Sequence, residues 1–311
     1  MMSIICVYND KETLDNLLIK SLEKQSNQDF EIILLDNREN KFKSAAEALN
    51  NGADKAKGDY LVFIHQDVKL PSNWIASVKE IIGSLENIGA LGVAGRTKYY
   101  EKILTKIEHN VPPEKFGWRE FSKPTKVETL DECLFIVPKN LFDKLKFDEK
   151  CCDGWHFYGA DYCLTAAKEG YGIYVVPLTL YHQSTGNIDD NFYNSLDKLL
   201  KKHESELIIS TTTGDWFTFS KKINMNPKAV RRKLTEKILE DPNFERNTVS
   251  KESYFSLKCD YELLKNELKN TNKIKSHNRN IEKELKQLKS SRSWKITGPL
   301  RRLGSSIKKM K

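Results

Sequence analysis

Short runs of aliphatic and β-branched residues at 4–7, 31–35 and 60–64 alternate with stretches of helical period near 14–22 and 44–56. Short strands, each followed by a helix of about ten residues, form right-handed βαβ units and predict an α/β fold with a mostly parallel sheet. Pro71 in the first turn of a third helix, with Trp74, Ile75, Val78, Ile81 and Ile82 on its buried stripe, and a strand at 90–94 extend the series. From Gly95 to Thr129 the pattern gives way to a charged segment with isolated Tyr99, Tyr100, Phe116, Trp118 and Phe121, too long for a routine connection and read as a functional loop. Periodicity returns as a single strand at 130–137, a short helix from Lys139, a helix near 161–169 and a strand at 173–176. The domain so built is expected to occupy residues 1–215.

In a parallel α/β sheet, ligands gather beyond the carboxyl ends of the strands. The residues there are Tyr8-Asn9-Asp10, Asp36-Asn37-Arg38 and His65-Gln66-Asp67. Neither a G-x-G-x-x-G turn nor a P-loop is present, which disfavours dinucleotide enzymes and ordinary ATPases. A carboxylate flanked by donors at the end of the third strand suits a hard divalent cation whose shell is completed by phosphate oxygens. Asp67 capping the next turn, and Asp36 holding its own, are the alternative readings of the same residues.

Three blocks, Ser3-Ile4-Ile5-Cys6-Val7-Tyr8-Asn9, Ile33-Leu34-Leu35-Asp36-Asn37, and Asn50-Asn51-Gly52-Ala53 leading through Gly58-Asp59-Tyr60 to His65-Gln66-Asp67, resemble in this order the family 2 glycosyltransferases of the GT-A fold. Phe147-Asp148-Glu149, the segment from Gly154-Trp155-His156 to Asp161-Tyr162-Cys163-Leu164, and Tyr181-His182 are similar to the StrF-like subset. The resemblance covers about residues 3–185. It implies inverting transfer of a sugar from a nucleotide-diphosphate sugar, a UDP-sugar favoured, to a hydroxyl of a glycan or lipid-linked acceptor. Carried position by position, it implies that Tyr8 lies against the base and that Asp36 bonds the base or ribose, with Asn9, Asn37, Gln66 and Asp131 completing the nucleotide-sugar site. Asp67 matches the last acid of the metal-binding D-x-D and His182 the late histidine of that site, with His65 as an extra ligand, for Mn²⁺ or Mg²⁺. Asp161 matches the general base, and Trp155 and His156 match the acceptor cleft. The chain departs from the pattern at His65 and Gln66, which replace the first part of D-x-D, and at Ala160, which replaces the acid before the base. Ser44 stands where some relatives place a basic residue facing the nucleotide.

Residues 221–311 carry 25 Lys and Arg against 10 Asp and Glu, a net of +15 that leaves −7 for the first 220. A basic tail on an acidic body suggests an anionic surface as its partner. After a linking segment at 216–256, Leu257, Tyr261, Leu264, Leu268, Ile274, Ile281, Leu285 and Leu288 follow a heptad seam. It predicts a long helix over 257–290, paired with a second copy as a coiled coil or packed on its own body. In 291–311, Trp294, Ile296, Leu300, Leu303 and Ile307 are interleaved with Arg and Lys. This segment is similar to the tails that follow coiled coils in transferases building surface polysaccharides, and it reads as an amphipathic contact with a membrane surface. No nucleic-acid-binding motif is present, so nucleic acid is not an expected partner. A nucleotide-sugar-binding scaffold without turnover and, less favoured, a basic-tailed nucleic-acid-binding protein are the other readings. Six cysteines form no C-x-x-C pair, no apolar run approaches the roughly 18 residues of a membrane span, and the N-terminus shows no secretion signal; a cytoplasmic location is expected.

Overall fold

The N-terminal aliphatic runs form three parallel strands, β1 (Met2–Tyr8), β2 (Phe30–Asp36) and β3 (Tyr60–Ile64), with β1 hydrogen-bonded to both others. The computed structural model describes residues 1–97, 103–109, 113–115, 121–184, 190–206 and 208–217. All of them lie in the first of two compact units, residues 1–223. The expected seam at 257–290, the tail at 291–311 and the link at 216–256 beyond residue 217 lie outside the described residues.

Between β1 and β2 a continuous helical stretch runs as α1 (Lys11–Thr13), a π-helical segment (Leu14–Ile19) and α2 (Lys20–Leu22). Asp10 starts it by accepting the Glu12 and Thr13 amides at 3.0 and 3.2 Å. Ser44 is the N-cap of α3 (Ala45–Ala53), accepting the Glu47 amide at 3.1 Å, so this position serves helix initiation. After β3 come β4 (Val68–Lys69) and α4 (Trp74–Gly83). Pro71 lies just before α4 rather than in its first turn, its carbonyl accepting the Trp74 amide.

The expected strand at 90–94 is two strands, β5 (Ile88–Gly92) and β6 (Ala94–Arg96). The segment read as one loop holds β7 (Leu104–Thr105), β8 (Ile107–His109), β9 (Glu114–Lys115) and β10 (Thr125–Lys126). The expected strand at 130–137 is likewise divided, into β11 (Thr129–Leu130) and β12 (Leu134–Pro138). The Asp131 carboxylate accepts the Cys133 amide at 3.0 Å, an Asx turn that breaks the run. There follow α5 (Lys139–Phe142), α6 (Tyr158–Lys168), β13 (Gly172–Val175), β14 (Leu180–His182), α7 (Asp190–Lys202) and the hairpin β15 (Ile208–Thr211) with β16 (Gly214–Phe217).

The main sheet has the order β10-β13-β5-β12-β3-β1-β2. Its β12 runs antiparallel between β3 and β5, and edge strand β10 is antiparallel to β13; the other five strands share one direction. The α/β class and mostly parallel sheet are as expected. Alternation along each strand divides the core into two layers. Ile5, Leu61, Phe63 and Phe135 pack with α3 and α6 on one face, while Ile4, Cys6, Val62, Ile64 and Ile136 meet Leu14, Leu18 and α4 on the other. Each fully buried Leu, Ile or Phe contributes about 1.5–3 kcal/mol. Among the described residues no helix is long and apolar enough to cross a membrane.

Candidate functional site

The carboxyl ends of β1, β2 and β3 open into a cleft of about 450 Å³, lined by Tyr8, Asn9, Asn37, His65, Gln66, Asp67, Trp155, Tyr158 and Ser184 among others. One wall is built from the loops after β1 and β2. The Asn37 amide donates to the Tyr8 carbonyl at 2.8 Å, and its side-chain oxygen accepts the Phe42 amide at 2.8 Å. Asp36 stands at the rim rather than in the lining, its carboxylate bonded through both oxygens to Arg38. That guanidinium holds the Asp36 carboxyl well below its usual range. It also lies 5.8 Å from the centroid of the Tyr8 ring. Burial and the neighbouring Asp36 push the Tyr8 phenol up.

Gln66 braces this wall. Its side-chain oxygen accepts the amides of Asn9 and Asp10 at 2.9 and 3.0 Å, and its NH₂ donates to the Asn9 side-chain oxygen at 2.7 Å. The side chain named from the resemblance as a nucleotide contact is thus spent on joining the loop after β1 to the loop after β3, and that of Asn9 is spent with it.

On the other wall, His65, Asp67 and His182 bring three ligand-capable atoms within 4.8 Å of one another. His182 reaches Asp67 because β14 pairs with β4, placing His182 opposite Val68. Its Nε2 lies 3.3 Å from Asp67 Oδ1, and the Ser184 amide donates to Asp67 Oδ2 at 3.0 Å. His109 Nδ1, 2.9 Å from the His182 carbonyl, fixes the strand from behind. Burial opposes charge on Asp67, but the bond to His182 and the field of both histidines outweigh it and hold the carboxyl well below its usual range. Burial, then the neighbouring His182, pushes the His65 imidazole down to about 4. A neutral imidazole beside an ionised carboxylate is the protonation state in which these groups accept a cation. Two imidazoles and one carboxylate fit Mn²⁺ and its borderline neighbours better than Mg²⁺, which prefers oxygen.

The turn between β11 and β12 places two acids behind this wall. Asp131 accepts the Thr212 hydroxyl at 2.8 Å, so it is held by the β15–β16 hairpin. Glu132, a residue not singled out above, accepts the Gly159 amide at 2.8 Å, while its backbone carbonyl accepts the hydroxyl of the cleft residue Tyr158 at 3.3 Å. A Cβ at Gly159 would meet Glu132 Cγ at 2.9 Å, so only glycine allows this approach. Burial pushes the Glu132 carboxyl up to about 8 against the bond from Gly159. Its visible signal was the pair Asp131-Glu132 inside an apolar run, which a buried strand does not tolerate without a turn.

Asp161, to which the resemblance assigns the base role, lies on α6 outside the cleft lining. It is 2% exposed. One carboxylate oxygen meets His203 Nε2 at 2.7 Å and the other accepts from Lys202 Nζ at 2.8 Å. Lys168 Nζ, 3.1 Å from His203 Nδ1, leaves the Nε2 proton facing Asp161. Cys151 and Cys152 are buried beside this carboxylate, which Lys202 and His203 already engage. His156 is likewise not in the lining, its ring packing 5.3 Å from that of Phe192. Trp155 is 43% exposed and does line the cleft. Phe157, two residues on, takes φ 67°, a left-handed conformation uncommon for an aromatic residue, and its ring packs 4.7 Å from Phe192.

Residues 2–216 match the model of a family described as a glycosyltransferase like family. A protein of Fuscovulum blasticum known as ATP synthase subunits region ORF 6 is 28% identical over 217 residues, 65% of this chain and 83% of its own. Among solved structures, GalNAc-T7 with UDP, GalNAc and Mn²⁺ is similar with a TM-score of 0.50 at 16% identity, over 67% of this chain and 48% of its own. The chain thus spans about half of that transferase, and the likeness is one of fold. S. aureus TarS 1-349 in complex with UDP-GlcNAc gives a TM-score of 0.45 at 13% identity, over 85% of this chain and 81% of its own.

Proposed function

Because the chain belongs to the glycosyltransferase-like family, we propose that it is a metal-dependent, inverting transferase that moves a sugar from a nucleotide-diphosphate sugar, a UDP-sugar first among them, to a hydroxyl of a glycan or lipid-linked acceptor. The observation that carries this reading is the convergence of His65, Asp67 and His182 at the end of β3, across the cleft from the wall of Tyr8 and Asn37. A divalent cation held by those three side chains would neutralise charge growing on the leaving diphosphate. Tyr8 offers a ring edge and Asn37 a fixed backbone for the base, and Asp36 is oriented by Arg38 for the ribose.

In a single displacement the acceptor oxygen bonds to the anomeric carbon as the bond to the diphosphate oxygen breaks, its electron pair leaving with the nucleoside diphosphate. The acceptor proton passes to a carboxylate on the opposite face. We assign that proton to Glu132, whose carboxylate accepts the Gly159 amide next to the cleft residue Tyr158; its ionised form takes the proton up and its raised pKa holds it there. Asp131, anchored by Thr212, is assigned to the sugar hydroxyls. A role in surface polysaccharide synthesis, with residues 291–311 against an anionic membrane surface, rests on the sequence of that tail.

The test is calorimetric titration with UDP, GDP and dTDP, each with and without Mn²⁺, on the wild type and on Asp67→Ala. Metal-dependent binding of one nucleotide, lost in the variant, is expected. Absence of binding by all three nucleotides would overturn the reading.

A further inference from the structure

Beside the cleft lies a second pocket of about 480 Å³, lined by Asp153, Gly154, Asn194, Ser195, Asp197 and Lys198 with Asn191 and Lys201 of the same helix. Gly154 belongs to this pocket and Trp155, its neighbour in the chain, belongs to the cleft. The two spaces therefore border consecutive residues of the chain.

The lining contains no apolar side chain. Its charges balance, two acids against two lysines, with Lys198 paired to Asp153, so nothing there selects an anion. Trp155 and Tyr193, 43% and 53% exposed, are the chain neighbours of the lining residues Gly154 and Asn194 and are the exposed aromatic side chains among the described residues. Tyr193 stands one turn before Asp197 on α7, which puts the two side chains on adjoining positions of the helix surface. Ser195 is only 3% exposed. A Cβ at residue 154 would come within 2.9 Å of its hydroxyl oxygen, so Gly154 keeps it accessible. A sugar ring presents an apolar C–H face and a rim of hydroxyls. Aromatic faces at the margins with amide, carboxylate and hydroxyl groups in a charge-balanced floor complement both.

We propose that this pocket is a subsite for the second and following sugar units of the acceptor, whose reactive end lies in the cleft past Trp155, so that the acceptor is an oligosaccharide chain. The proposal rests on the transferase reading. It makes the 153–155 segment the divide between the unit being extended and the chain behind it.

The full-length protein is titrated with cellotetraose, chitotetraose, maltotetraose and mannotetraose and with the matching monosaccharides, read by tryptophan fluorescence and by saturation-transfer NMR. UDP is titrated in the same samples. One tetrasaccharide is expected to bind at least about tenfold more tightly than its monosaccharide, since a second stacked and hydrogen-bonded unit adds that much or more. Tyr193→Ala and Asn194→Ala, both at exposed positions, are expected to lose that gain with UDP affinity unchanged. Equal binding of tetrasaccharide and monosaccharide, a gain that survives both variants, or no saccharide binding where UDP binds overturns the subsite and leaves the nucleotide reading intact. Chain-length-dependent glycan binding without UDP binding upholds the subsite and overturns the donor site instead.

Discussion

Replacing Asp161 with alanine separates a structural carboxylate from a catalytic one. In the folded chain its two oxygens serve His203, 2% exposed, and Lys202, about a third exposed. Without them the His203 donor is left buried and unsatisfied, which costs about 1.5–3 kcal/mol for a bond to a charged group. Lys202 retains Asp148 at 2.8 Å and is partly in water, so its loss adds little. The total is about 3 kcal/mol, which lowers Tm by roughly 6–12 °C in a domain of this size. Asp161→Asn keeps an acceptor for His203, costs about 1 kcal/mol and shifts Tm by roughly 2–4 °C. Thermal unfolding by circular dichroism measures both, with UDP titration as the control for an intact cleft. If Asp161→Ala melts with the wild type and binds UDP normally but loses transfer, the carboxylate is the base and the stabilising role of its bonds to His203 and Lys202 is refuted.

Three further outcomes follow from the geometry. Glu132 has a folded pKa of about 8, above its ordinary value of 4.5, so the native state binds more protons between those limits and stability falls as pH rises through that window. Glu132→Gln should therefore raise Tm at pH 8 relative to wild type while changing little at pH 4 and abolishing transfer; an equal effect at both pH values contradicts the shift. His65→Asp replaces an imidazole by a hard oxygen donor, so calorimetry should show the ratio of Mn²⁺ to Mg²⁺ affinity falling about tenfold, and an unchanged ratio removes His65 from the site. A Cβ at Gly58 would come within 2.7 Å of the Ser3 amide and 2.8 Å of the Met2 carbonyl carbon. Gly58→Ala should cost about 1–3 kcal/mol in thermal unfolding, and an unaltered Tm would contradict that contact.

Legibility in the sequence followed the strength of the local signal. The run at 60–64 became β3 with those bounds because five apolar residues buried on both faces leave no ambiguity. The direction of β12 was not readable, since it is set by the path of the chain through β6 to β11 rather than by its own composition. The break at Asp131 needed the Asx turn, a side-chain event hidden inside an apolar run. Helix α7 was missed although Phe192, Leu196 and Leu199 keep helical spacing and are buried. That omission also hid the surroundings of Asp161, because the groups that engage it are Lys202, which ends α7, and His203, which follows it. His65, Asp67 and His182 could be grouped only through the resemblance, as 115 residues separate the second from the third.

Gln66 gives the cleft a particular mechanical character. By tying the loop after β1 to the loop that carries His65 and Asp67, it joins two loop ends into one braced unit. On the proposed reading, the entropy of aligning the wall of Tyr8 and Asn37 with that of Asp67 would be lost when the chain folds and not when a donor arrives. A donor would then meet a preset spacing between base and diphosphate, with the middle residue of His65-Gln66-Asp67 as a ruler for the length of nucleotide the cleft admits.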